Sequence, residues 1–179
     1  MLMFTLAFVH PSARAAEGID IVQAHLEPSE EGHRLSATFA FDLTRGLEDA
    51  LSRGITLYFT TDVEIIRPRW YWFNEKAIVA SRTTRISYNV LTRQYRAATT
   101  DSLQQTFSSL DDALSLIRRP SRWLVAEKGT LKPGEQYTVA VHMNLDLAQL
   151  PKPFQVHALN NSDWRLSSAW KYFNFRVEK

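Results

Sequence analysis

Apolar and polar side chains alternate along much of this chain. Leu35, Ala37, Phe39, Phe41 and Leu43 interleave with Ser36, Thr38, Ala40 and Asp42, and Tyr137, Val139, Val141, Met143 and Leu145 interleave with Thr138, Ala140, His142 and Asn144. A period of two places one set on a buried face and the other on the opposite face, so each run predicts a half-buried strand. Residues 55–59 and 86–90 predict two more strands, and Phe173, Phe175 and Val177 a closing one. A first strand over residues 19–26 would join the second through a turn at Pro28–Gly32. Two stretches switch to helical spacing. Thr44 is placed to cap a helix carrying Leu47, Ala50 and Leu51, with Gly54 ending it. Ser109 is placed to cap a second, whose apolar stripe is Leu110, Ala113, Leu114 and Ile117. In that helix Asp111 and Asp112 sit at the positive end, Arg118 and Arg119 at the negative end, and Pro120 stops it. The pattern predicts one mostly β domain with two short inserted helices.

The stretch Leu131-Lys-Pro-Gly-Glu-Gln-Tyr137-Thr-Val-Ala-Val141 resembles the entry to the sixth strand of fibronectin type III domains. There a tyrosine hydroxyl bonds back to the preceding loop. The resemblance implies an antiparallel, immunoglobulin-like β-sandwich in which Tyr137 is buried and bonded near the Leu131–Gly134 turn.

Composition adds a compartment. The short apolar run Leu2–Val9 followed by Ala13-Arg14-Ala15 has the outline of a secretory signal, cut after Ala15. The run is far shorter than the about 20 apolar residues of a membrane span. The expectation is a signal peptide over residues 1–15, a single domain over 16–179, and a periplasmic location. Zero cysteines exclude disulfides, cysteine nucleophiles and thiolate metal sites. Charge is segregated: Glu17–Glu64 holds ten acidic and three basic residues, whereas Arg67–Lys128 holds eleven basic and five acidic. A basic face drawn to an anionic partner is one consequence. Nucleic acid is not expected as a partner of an exported chain.

Arg67-Pro-Arg69-Trp70-Tyr71-Trp72-Phe73 is the densest candidate for recognition. Four consecutive aromatics in an extended segment face two ways. One pair is expected in the core, and the other under the second helix or against a partner. The arginines could stack on the indoles or meet an anionic partner. Leu91-Thr-Arg93-Gln-Tyr-Arg96 reads as a neighbouring strand or hairpin. The candidate partner-binding residues are therefore Arg67, Arg69, Trp70, Trp72, Arg93 and Arg96, with the four arginines expected on one exposed basic face.

No motif names a reaction. Beyond the expected signal, the histidines His25, His33, His142 and His157 lack metal-ligand spacing, and no nucleophile elbow, phosphate loop or zinc-protease motif occurs. No catalytic residue, metal or cofactor is assigned. A serine–histidine–acid site assembled in space stays open, because such sites leave no local signature.

Five blocks, Ala50–Ile55, Arg67–Trp72, Tyr88–Arg96, Leu150–Phe154 and Trp164–Trp170, together resemble an exported proteobacterial family defined as a domain of unknown function (DUF4390). That family carries no assigned activity or site, so the resemblance transfers none. Its genes often lie beside a membrane sensor kinase of the nitrogen-regulation type. The resemblance thus implies a periplasmic accessory to signalling, partnered by an envelope protein such as the outer part of that kinase. Three readings compete. A non-enzymatic binding module needs an exposed patch, and a small envelope hydrolase needs a histidine beside a carboxylate or serine in a deep cleft. A small-ligand carrier needs an apolar cavity between sheets.

Overall fold

The computed structural model describes residues 18–68, 75–120 and 122–178. Residues 1–17, with the expected signal, and residues 69–74, with Arg69, Trp70, Trp72 and the expected aromatic strand, lie outside the described residues.

The described chain is mostly antiparallel β-structure in two sheets. Strands β1 (Asp20–Ser29), β2 (Gly32–Ala40) and β7 (Trp123–Glu127) form one, in the order β1-β2-β7. The other holds β3 (Leu57–Arg67), β4 (Glu75–Asn89), β5 (Gln94–Thr99), β6 (Gln105–Phe107), β8 (Gln136–Leu145) and β9 (Lys171–Arg176), in the order β6-β5-β4-β3-β8-β9. The sheets sandwich one core. Leu35, Ala37 and Phe39 of β2 are buried in it with Leu57, Phe59, Val63 and Ile65 of β3 and Val139, Val141 and Met143 of β8. Each set is the apolar phase of an alternating strand, so the pattern that predicts the strands also selects the inward face. The β1–β2 turn needs a glycine: Gly32 has φ +144°, and a Cβ there would lie 2.0 Å from the Ala126 carbonyl oxygen.

Helix α1 (Arg45–Ser52) buries Leu47, Ala50 and Leu51, and Thr44 Oγ1 accepts from the Leu47 amide at 3.4 Å. Helix α2 (Leu110–Arg118) buries Ala113, Leu114 and Ile117. Ser109 Oγ accepts from the Asp112 amide at 3.1 Å and donates to its carboxylate at 2.6 Å. Arg118 ties the other end of α2 to the end of β2, donating to the Phe41 carbonyl at 3.0 Å and to Asp42 at 2.9 Å. Both predicted helices form with their predicted caps. The described contacts of α2 fall on β2, β4, β5 and β6, and whether it covers the aromatic block lies outside the described residues.

The expectation of two helices needs correction: a third, α3 (Lys152–Asn160), follows Pro151. Proline suits a first helical turn, where its missing N–H has no partner to lose. The Pro-Lys-Pro sequence therefore starts a helix here. Strands β3 and β4 also run far beyond the expected 55–59 and 86–90, and β6 and β7 were not anticipated. β6 is only three residues with one apolar side chain, and β7 is a short, nearly continuous apolar run, so neither alternates enough to detect.

Tyr137 is buried, and its hydroxyl accepts from the Lys132 amide at 3.0 Å while donating to Glu135 at 3.2 Å. The bond expected near the Leu131–Gly134 turn is present.

Candidate functional site

Among the described residues, the sequence-derived arginines Arg67, Arg93 and Arg96 do not share one face. Arg67 closes β3 opposite Glu75 at the start of β4, whereas Arg96 lies opposite Ser87 near its end. That separation along an extended strand is about 40 Å at ~3.3 Å per residue. The two ends of one hairpin cannot form a single patch, which corrects the expectation of a common basic face. Arg67 is also engaged, donating to Glu135 at 2.6 Å with both side chains half-buried. Glu135 thereby joins Arg67 to the Tyr137 hydroxyl. Arg93 lies exposed in the β4–β5 turn with φ +53°, and Arg96 is half-buried on β5. Neither forms an ion pair among the described residues. Beside Arg96, the Tyr95 hydroxyl is held above its ordinary pKa by burial, then by Tyr88 and Glu48.

A different group of side chains comes together at the β8–β9 corner. Asp62 on β3 and His142 on β8 are direct cross-strand partners. Their neighbours Val63, Val141 and Met143 are buried, so alternation turns Asp62 and His142 onto the outer face of the large sheet. Ser167 bridges to Asn144 on β8, between the buried Leu166 and Ser168. Its hydroxyl reaches the same outer face. The His142 Nε2 to Ser167 Oγ distance is 3.0 Å, and His142 Nδ1 lies 3.8 Å from Asp62 Oδ2. The Trp170 indole stacks on the imidazole, with centroids 4.9 Å apart and planes at 22°. Backbone bonds fix the corner: Leu145 N–H donates to the Leu166 carbonyl at 2.7 Å and Ser168 N–H to the Met143 carbonyl at 2.8 Å.

Trp170, 38% exposed, also forms the rim of a groove of about 770 Å³ at the mouth of the sandwich. Ile21, Phe41, Leu43 and Leu166 supply its apolar wall. The groove runs to Lys171, where β9 begins. Strand β9 ends the large sheet, so one of its sides carries no strand among the described residues. Val177 turns its N–H and C=O toward the β8 side, bonding to Glu135 and Gly134. By alternation the main-chain groups of Tyr172, Asn174 and Arg176 face outward. The neighbouring edge strand β1 is protected. It carries Pro28 and a bulge after Ile21, and the Lys171 ammonium donates to the carbonyls of Ile21 and Val22 at 2.7 and 3.0 Å.

His142 is noticeable in sequence only as a polar-phase residue, and Asp62 and Ser167 carry no local signal. Trp170 lies in the Trp164–Trp170 block that marks the family resemblance. Among the described residues no group of histidine and carboxylate side chains could hold a metal ion, and no helix is long and apolar enough to cross a membrane.

No curated protein and no solved structure matches this chain. A family model described as a domain of unknown function (DUF4390) matches residues 16–174, which is most of the chain, and the protein therefore belongs to that family.

Proposed function

We propose that this protein is an exported, periplasmic interaction module that receives an extended segment of an envelope protein along β9. The observation that carries the reading is the outward main chain of Tyr172, Asn174 and Arg176 running into the apolar groove at Trp170. A row of unpaired N–H and C=O groups is complementary to another extended main chain, and alternate side-chain sites beside it supply selectivity. Tyr172, 61% exposed, and Arg176 flank the edge, and Arg176 has no ion pair among the described residues, favouring a segment with an acidic side chain at that end. The groove at the other end suits an apolar anchor. The family resemblance names the periplasmic part of a membrane sensor kinase as the partner to test first. Arg93 and Arg96 offer further charge at the far end of the molecule, whereas Arg67 is occupied by Glu135. The strand order, with β3 beside β8 and β8 beside β9, and the Tyr137 bond support the immunoglobulin-like form of the sandwich.

The test uses a photo-crosslinking side chain at Tyr172 in native envelopes, alone and with Asn174→Pro. Proline removes an outward N–H and leaves the β8 ladder intact, a position edge strands tolerate. A discrete adduct from Tyr172 that disappears with Asn174→Pro is the expected result. Adducts arising only from probes at Arg67 or Arg93, or unchanged by the proline, would overturn docking along β9.

A further inference from the structure

The Ser167–His142–Asp62 group does not need the docking reading to carry chemistry. A serine hydroxyl becomes a nucleophile when a neighbouring base takes its proton as it attacks, and a third group holds that base in place. Ser167 Oγ is 3.0 Å from His142 Nε2, within direct proton-transfer reach. Asp62 faces the other ring nitrogen at 3.8 Å, which favours the tautomer with a proton on Nδ1 and leaves Nε2 as the acceptor. That distance exceeds a hydrogen bond, but such bonds are commonly long in unliganded sites and tighten on binding. Trp170 stacked on the imidazole restricts its rotation. Asn144 adds an electrophilic group. It is the cross-strand neighbour of Ser167 and lies two residues from His142, so it shares their face. One N–H of its amide meets the Leu145 carbonyl at 3.3 Å, leaving the second for a developing oxyanion.

We propose that Ser167 is an activated nucleophile with His142 as its general base, and that the site cleaves esters whose apolar acyl chain lies in the Trp170 groove. Ser167 Oγ attacks the acyl carbon while its proton passes to His142 Nε2. The ester C–O bond then breaks, and the alcohol leaves with that proton. Water adds to the Ser167 ester, gives its proton to His142, and the acid is released as the proton returns to Oγ. Asn144 is the oxyanion donor. Asp62 is a positioning residue.

The experiment treats the full chain with a fluorophosphonate probe, maps the labelled peptide, and measures turnover of nitrophenyl esters of increasing chain length. The expected result is one label per chain, on Ser167, with His142→Gln slowing it about 100-fold or more. Asn144→Ala should slow it on the order of 100-fold. Asp62→Asn should lower the maximal inactivation rate without weakening probe binding, and Asp62→Glu should restore part of it. Longer acyl chains should react faster, a preference that Trp170→Ala erases. Peptide mapping of the unsubstituted protein keeps the outcome readable even if a variant fails to fold. Labelling no faster than that of the denatured chain, or labelling of Ser167 unchanged by His142→Gln, would show an ordinary surface serine and overturn the proposal.

Discussion

Tyr137 closes the loop before β8 with a single hydroxyl. It accepts from the Lys132 amide and donates to Glu135, whose other oxygen holds Arg67. Tyr137→Phe keeps the ring in the core and leaves a part-buried amide without its acceptor. It should cost about 1 kcal/mol, read as a lowered midpoint in denaturant at unchanged slope. An unchanged midpoint would mean that water replaces the hydroxyl without loss. The corner was legible from the Pro-Gly turn ahead of an alternating strand, but its reach to Arg67 was not, because Glu135 and Arg67 are far apart in sequence. That link turns an expected contact arginine into an internal one. His33 gives a second residue-scale prediction. Its ring packs edge-on to Phe175 at 5.3 Å, and burial lowers its pKa below the ordinary 6.5. Below that value the unfolded chain binds the proton more readily than the folded one, so stability falls as pH drops through 6.5 and levels off beyond the lower folded pKa. His33→Gln should therefore lose less stability than the wild type between pH 7.5 and 5. Parallel melting curves would assign the effect elsewhere.

At the scale of elements, the helices with a side-chain cap were legible and the one without such a cap was missed. Thr44 and Ser109 cap their helices, and apolar residues three and four apart choose the buried faces. Leu114 is 3% exposed within that stripe. Leu114→Ala should destabilise the protein by about 2–5 kcal/mol, the range for truncating a buried leucine, and calorimetry would measure it. An unaltered melting temperature would mean that α2 carries little of the core. In α3 no side chain caps the start, so the signal that Thr44 and Ser109 give the other two helices is missing. The strands show the reverse effect. The outer phase of β3 holds Thr60, Asp62 and Glu64, and its inner phase includes the buried Thr61, which blurs the alternation midway. Its true length emerges only from pairing with β4 on one side and β8 on the other.

At the scale of the molecule, the candidate site was the least legible feature because it is made by pairing. His142 was readable as a polar-phase residue, whereas Asp62 and Ser167 reach it only through cross-strand registers. The basic-aromatic block stood out because its residues are adjacent in sequence, yet the register separates Arg67 from Arg93 and Arg96. The same long-range pairing bears on how the chain acquires its fold. β3 meets β8 only when residues as distant as Asp62 and His142 find each other, and this closes a long loop before any reward is gained. Refolding should therefore fall in the millisecond-to-second range of sandwich topologies, and stopped-flow fluorescence of the tryptophans would time it. A microsecond phase with full amplitude would contradict this. Before β8 arrives, β3 has β4 on one side and an open edge on the other, so the main-chain groups that β8 would pair stay free. A chain that emerges amino end first holds that sticky intermediate until Leu145 is free, so the interval between the synthesis of β3 and β8 is when this protein is most exposed to aggregation and to chaperones.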